Sequence, residues 1–134
     1  MPAFRPERYD VQQSYREALK DYRDRRYDQA IGEFTETLSM APKSDLADNA
    51  EYWIGECYYA LNNYERAIVA FEKVLTYPKS EKLDDAQLKL GYSYLKVGKK
   101  EEAVAAFKKV LSTYPDSEYR GRAAAMITSI GGGK

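Results

Sequence analysis

Apolar residues recur along this chain at three- and four-residue intervals, and turn formers interrupt them at regular distances. Tyr52, Ile54, Gly55, Tyr58, Tyr59 and Leu61 form one such stripe, which Asn62-Asn63 breaks. Ala67, Ile68, Phe71, Val74 and Leu75 form the next. Tyr77-Pro78 stops it, because the residue before a proline is pushed out of the helical region. Leu88, Leu90, Gly91, Tyr94 and Leu95, a turn at Gly98, then Val104, Phe107, Val110 and Leu111 repeat the arrangement. Spacing of this kind belongs to helices with one buried face, so each pair of stripes predicts two antiparallel helices joined by a short turn. Ser44, Ser80 and Ser117 stand where a side-chain oxygen can cap the following helix. A last apolar run, Ala123-Ala124-Ala125-Met126-Ile127, predicts a final helix near 117–130, the seventh in the chain.

The pairs are copies of one another. Ala30-x-x-x-Phe34 recurs as Ala67-x-x-x-Phe71 and Ala103-x-x-x-Phe107, at steps of 37 and 36. The same steps connect Ala18, Gly55 and Gly91, and again Leu38, Leu75 and Leu111. Tyr27 corresponds to Tyr64, with Lys100 the departure in the third copy. A second register is set by Pro42-Lys43-Ser44, Pro78-Lys79-Ser80 and Pro115-Asp116-Ser117, followed by Ala50, Ala86 and Ala123 at one fixed distance. The small residues Gly55 and Ala67, and Gly91 and Ala103, predict a close approach of the two helices of a pair, with the phenylalanine filling space between units.

These residues resemble the tetratricopeptide repeat, whose pattern places glycine and aromatics in a first helix, Ala-x-x-x-Phe in a second, and proline after it. The resemblance covers about residues 8–130 and implies an all-α fold, a right-handed α-solenoid. It consists of three tetratricopeptide-like helix-turn-helix repeats, at about 11–47, 48–83 and 84–116, plus a C-terminal capping helix at 117–130. Residues 1–7 are then an N-terminal extension and 131–134 a flexible tail. Asp21 stands where the repeat has an aromatic, so the first helix is expected to be less well buried. The period exceeds the usual ~34 residues, which implies an extended link around each Pro-x-Ser.

A narrower resemblance rests on Tyr27-Asp28-Gln29-Ala30-Ile31, on the run from Ala47 to Tyr59, on Leu88 to Tyr94, and on Tyr114-Pro115-Asp116-Ser117. These stretches are similar to the C-terminal domain of the YbgF (CpoB) family of Tol-Pal-associated periplasmic proteins. That resemblance implies a periplasmic adaptor coupling outer-membrane constriction to peptidoglycan synthesis during division, with the envelope protein TolA among its partners. The family's coiled-coil segment and signal peptide do not appear in this sequence, which keeps a cytoplasmic location as the alternative. Related long-repeat proteins of outer-membrane assembly share much of the same pattern.

Composition narrows the chemistry. Lys+Arg and Asp+Glu number 21 each, so the basic excess that phosphate neutralisation demands is missing and nucleic acid is not an expected partner. The absence of histidine removes the usual general base, the Ser-His and Cys-His pairs and the commonest transition-metal ligand. Cys57 is alone and reads as a small buried hydrophobe. No apolar run is long enough for membrane insertion. The charge runs Arg23-Asp24-Arg25-Arg26 and Lys99-Lys100-Glu101-Glu102 fall at turns, where solvated charge is ordinary. No catalytic residue, metal site or cofactor is expected; the reading is a protein–protein interaction module rather than an enzyme.

In a stack of such repeats the first helices line a concave face. By the repeat's geometry the residues facing it are Gln12, Tyr15, Leu19 and Tyr22, then Asn49, Tyr52, Glu56 and Tyr59, then Asp85, Leu88, Tyr92 and Lys96. Tyrosine offers a large contact face at small entropy cost, which suits an amphipathic helix or extended segment as ligand. Tyr52 and Tyr59 are therefore expected to be only partly buried, and Tyr27, Tyr58, Tyr64 and Tyr94 to be core. Trp53 lies beside the groove and suits either role. Tyr15 and Leu19 replace the lysine and asparagine with which chaperone-binding repeats grip a terminal carboxylate, which disfavours an Hsp70 or Hsp90 tail. By resemblance the partner is TolA-like. The alternative is a self-assembling scaffold, in which a second copy occupies the groove or a repeat end.

Overall fold

The computed structural model describes residues 7–132, and seven helices account for most of them. They are α1 (Glu7–Arg23), α2 (Tyr27–Met40), α3 (Asp45–Ala60), α4 (Tyr64–Val74), α5 (Leu83–Lys96), α6 (Lys100–Thr113) and α7 (Arg120–Gly132). Each packs on the next in chain order, and the described residues contain no strand. The result is the expected all-α solenoid: three antiparallel hairpins and a final helix.

Phe34, Phe71 and Phe107 are completely buried, one in each hairpin. The Phe71 ring lies so close to Gly55 that a Cβ there would meet its atoms at 2.6–2.9 Å. Gly91 stands in the same relation to Phe107. Glycine is thus required at these two positions because the ring uses the space a side chain would fill. Phe71 also belongs to one cluster with Ala86 and Leu90 of α5, so it packs inside its hairpin and against the next.

The core is a row of three clusters rather than one centre. Trp53 and Tyr58 touch both the first and the second, and Tyr94 touches both the second and the third. Of the signature tyrosines, Tyr27, Tyr58 and Tyr94 pack against these clusters, in the structural role expected of them but at the margins rather than inside. Tyr27, Tyr58, Tyr64 and Tyr94 are only half-buried, because Tyr58 and Tyr94 are joints between hairpins and lie at the edge of each cluster. Asp21 replaces such a ring on α1, which has no preceding helix among the described residues for a ring to join.

The turns inside the hairpins repeat as well. Arg25, Asn62 and Gly98 occupy equivalent places and all have positive φ, at 64°, 63° and 82°. Ser44 caps α3 as expected, its hydroxyl accepting from the Leu46 amide at 3.2 Å. Ser80 and Ser117 do not cap their helices directly. Their hydroxyls accept from the amides of Lys82 and Tyr119, ordering a turn that precedes α5 and α7. The last helix accordingly begins at Arg120, and it continues through Gly131 and Gly132, which the sequence reading assigned to a flexible tail. Glu7, assigned to the extension, opens α1; residues 1–6 and 133–134 lie outside the described range.

Two expected outcomes follow from this packing. Phe71→Ala removes the central ring of the middle hairpin and is expected to cost about 3–5 kcal/mol. Gly55→Ala is expected to cost about 1–3 kcal/mol by overpacking the same site. Urea midpoints measure both, and a Gly55→Ala protein as stable as the parent contradicts the ring contact.

Glu33 on α2 provides a separate test. Its Oε1 is buried without a hydrogen-bond partner, and the carboxyls of Asp21, Glu17 and Glu36 surround it. Burial, and then the Asp21 carboxyl, push the Glu33 carboxyl up to about 7. The native state therefore keeps a proton that the unfolded chain releases near the ordinary value of about 4.3. This group's contribution to stability is full below that value and is lost as pH rises towards about 7. Glu33→Gln is expected to flatten the fall in urea midpoint between about pH 5 and about pH 8, and to be the more stable protein at the upper end. Parallel profiles for the two proteins contradict the assignment.

Candidate functional site on the concave face

The first helices of the hairpins, α1, α3 and α5, bring the predicted groove residues to one side, where they fall into three groups. Tyr15, Leu19 and Tyr22 from α1 and Asn49 from α3 meet at a cleft of about 330 Å³, which Arg23, Trp53, Glu81 and Lys82 complete. Rings hold this cleft open. Tyr15 packs edge-on against the buried Phe34 with centroids 5.8 Å apart, and Tyr22 lies 5.6 Å from Tyr27 and 5.0 Å from Trp53. Burial, and then the Glu56 carboxylate, push the Tyr22 hydroxyl up to about 12, so it is a neutral donor throughout the physiological range. The cleft continues past Asn49 and Glu81 into a recess of about 520 Å³ between the start of α3 and the Tyr77-Pro78-Lys79-Ser80 link.

The second group is closed by its own contacts. Tyr52 is 5% exposed, against the expectation of a half-free ring. It lies between Phe71 at 5.7 Å and Trp53 at 5.3 Å, and its hydroxyl donates to Glu56 Oε2 at 2.8 Å. The Lys82 ammonium covers both rings, 5.1 Å from Tyr52 and 5.5 Å from Trp53. Glu56 also pairs with Lys89 Nζ at 3.0 Å, and the same ammonium lies 5.5 Å from the Tyr59 ring. Tyr59 remains half-buried, edge-on to Tyr64.

The third group joins neither cleft. Leu88 is 2% exposed and belongs to the third core cluster, a core residue rather than a ligand contact. Tyr92 is half-buried against Phe107 at 5.4 Å. Asp85 faces Tyr119 and Lys82; burial raises its carboxyl against the lowering pull of both neighbours. Lys96 is exposed, its ammonium 5.8 Å from the Tyr64 ring, and Gln12 is exposed near the start of α1. Cys57 is fully buried, and burial pushes its thiol up to about 12, as suits an inert packing residue.

Sequence reasoning missed Lys82 and Glu81, which come from the irregular link before α5 and so carry no helical periodicity. Trp53 was visible, but its neighbours on α1 and in the link decide its role.

The family of YfiO outer membrane lipoproteins matches residues 7–131, nearly the whole sequence, and the chain belongs to that family. No curated protein sequence matches it. Among solved structures, the tetratricopeptide domain of Arabidopsis FLU is similar at 17% identity and a TM-score of 0.77, over 84% of this chain and 100% of that one. The first repeat domain of Spaghetti (RPAP3), bound to the HSP90 peptide SRMEEVD, gives 18% and 0.74 over 92% of each. PcrH in complex with the chaperone binding region of PopB gives 15% and 0.68 over 90% of this chain and 93% of that one. At these identities the likeness shows the fold. No helix among the described residues is long and apolar enough to cross a membrane.

The burial of Tyr52 has a measurable consequence. Tyr52→Ala is expected to destabilise the protein by about 3–5 kcal/mol, as for other buried rings, whereas Tyr52→Phe is expected to cost about 1 kcal/mol for the lost bond to Glu56. Urea denaturation distinguishes these from the free-ring alternative, in which neither change matters.

Proposed function

We propose that this member of the outer membrane lipoprotein family is a protein–protein interaction module, an adaptor that takes a peptide or helical segment of a partner on its concave face. The cleft between α1 and α3 carries the reading. Tyr15, Leu19, Tyr22 and Trp53 present apolar ring and chain surface around an open volume, with Asn49, Arg23 and Lys82 at its edge. Rigid aromatic surface gives contact area at low entropy cost. The Asn49 amide can both donate to and accept from the backbone of an extended segment. That a Spaghetti repeat domain was solved with SRMEEVD, and PcrH with a region of PopB, supports a peptide ligand for a fold of this kind. Tyr15 and Leu19 occupy the positions of a carboxylate clamp, so the anchor here is an apolar or aromatic side chain rather than a chain terminus.

The family match supports an envelope role on the periplasmic side, and favours the outer-membrane-assembly type of long-repeat protein. The Tol-Pal adaptor with a TolA-like partner is the second reading, supported by the stretches Ala47 to Tyr59 and Leu88 to Tyr94.

Trp53 is the only tryptophan and lies in the cleft, so its emission reports occupancy directly. Titration with a TolA-derived segment is expected to shift that emission. Tyr22→Ala is expected to weaken binding by about 2 kcal/mol, roughly thirtyfold, with the helical circular dichroism retained. A segment that binds without changing Trp53 emission, indifferent to Tyr22→Ala, puts the partner site elsewhere. A segment that does not bind removes the Tol-Pal reading.

A further inference from the structure

The convex face carries two grooves at equivalent places in successive repeats. One, of about 360 Å³, runs between α2 and α4 above α3; the other, of about 310 Å³, runs between α4 and α6 above α5. Their nine lining positions correspond one for one at the repeat steps of 36 and 37. Leu38 answers to Leu75, Ile54 to Leu90 and Tyr58 to Tyr94. Two grooves built on one plan make each the control for the other.

Their polar chemistry differs. In the second groove, Gln87 at the base donates through Nε2 to the Ala106 carbonyl at 3.2 Å, and the Tyr94 hydroxyl donates to Glu72 at 3.0 Å. The wall residue there is Ala105. That groove is satisfied internally. In the first, Glu51 takes the place of Gln87, is 7% exposed, and makes no hydrogen bond or ion pair with the described residues. Thr35 replaces Glu72, and Val69 replaces Ala105. Val69 is 51% exposed, the most exposed large hydrophobic residue described. Lys73 at the rim attracts the Glu51 carboxyl without reaching ion-pair distance, and the Arg66 guanidinium lies 5.8 Å from the Tyr58 ring. Glu51 is thus a largely covered side chain whose carboxyl opens on the groove floor with no donor among the described residues, beneath an exposed apolar wall; burial raises that carboxyl against the pull of Lys73.

We infer that the groove between α2 and α4 is a second partner site, separate from the concave cleft, and that it takes a lysine or arginine side chain of a partner protein. The aliphatic stem lies along Val69, Leu38 and Ile54, and the cationic head reaches Glu51. Long basic side chains suit this geometry because the stem covers apolar surface while the head stays polar. Pairing then gives the Glu51 carboxylate a charge-assisted donor. Arg66 and Lys73, both exposed and able to swing outward, meet carboxylates on either side of that residue. The partner surface is thus one basic residue set among apolar and acidic ones.

The probe is a capped peptide, Glu-Leu-Arg-Leu-Glu, beside a counterpart with citrulline for arginine, which keeps the shape and loses the charge. Each is titrated into the isotope-labelled protein and followed by backbone amide shifts. The arginine peptide is expected to move the amides around Leu38, Ile54 and Val69 and to leave Trp53 emission unchanged. Citrulline, Glu51→Gln and Val69→Ser are each expected to weaken that response by at least about tenfold. Both variants are expected to keep parental helicity, since one is isosteric and the other lies on the surface. Shifts absent at millimolar peptide, equal affinity for the citrulline peptide, or shifts confined to the concave cleft overturn the proposal.

Discussion

The contact on which the rest of the structure depends is a buried phenylalanine ring pressed against the first helix of its own hairpin. Phe71 on Gly55 and Phe107 on Gly91 leave no room for a Cβ, so the separation of the two helices is set by the thickness of a ring rather than of two side chains. The first hairpin keeps the ring, Phe34, and has Ala18 opposite. Repeating one spacing three times forces the first helices to one side and the second helices to the other. The molecule therefore has two faces of different curvature, each presenting similar residues at each step. The faces, not the hairpins, are the surfaces that a partner meets.

On the concave face that repetition is interrupted by charge. Lys89 pairs with Glu56 at 3.0 Å, where both side chains are largely covered, and Lys82 spans Tyr52 and Trp53. A ligand entering between α3 and α5 has to separate Glu56 from Lys89 and leave a poorly solvated charge without its partner, which is costly. Between α1 and α3 no such pair among the described residues stands in the way, and the rings of Tyr15, Tyr22 and Trp53 already lie around open volume. The two halves differ in this ion pair and in the rings and Lys82 that close over Tyr52.

The fold was legible because it depends on periodicities that the sequence carries openly: the Ala-x-x-x-Phe register, the small residues opposite it, and the Pro-x-Ser links. The site was half legible. Tyr15, Leu19, Tyr22 and Asn49 do meet at a cleft, whereas Tyr52 faces the same side and is nevertheless buried, because Phe71, Trp53 and Lys82 close around it. Position within a helix gives the direction of a side chain, and its burial depends on what arrives from other elements. Lys82 comes from a link with no period, and Tyr58 and Tyr94 sit at joints whose exposure depends on how tightly neighbouring hairpins close. The serines show the same limit: Ser44 caps its helix, while Ser80 and Ser117 cap a turn two residues ahead of theirs.

In a repeat protein the packing residues must recur, since every copy solves the same steric problem, but a polar residue at an equivalent position is under no such obligation. Departures from repetition are therefore informative in proportion to what they cost. Lys82 has Leu46 and Tyr119 as its counterparts, and Tyr119 faces Asp85 where Lys82 borders an open cleft. Glu51 is the more demanding case. Gln87 shows that the same place accepts an uncharged amide of equal shape with its hydrogen bond made at 3.2 Å. Stability alone favours that solution, because burial disfavours the charged carboxyl at residue 51 and the amide carries no charge to desolvate. The carboxyl at residue 51 is thus a feature that folding does not require, placed beside the one large hydrophobic side chain that folding leaves most exposed. A carboxyl unpaired among the described residues and an exposed apolar wall on one groove, both absent from its twin a repeat away, are what a surface completed by another molecule would show.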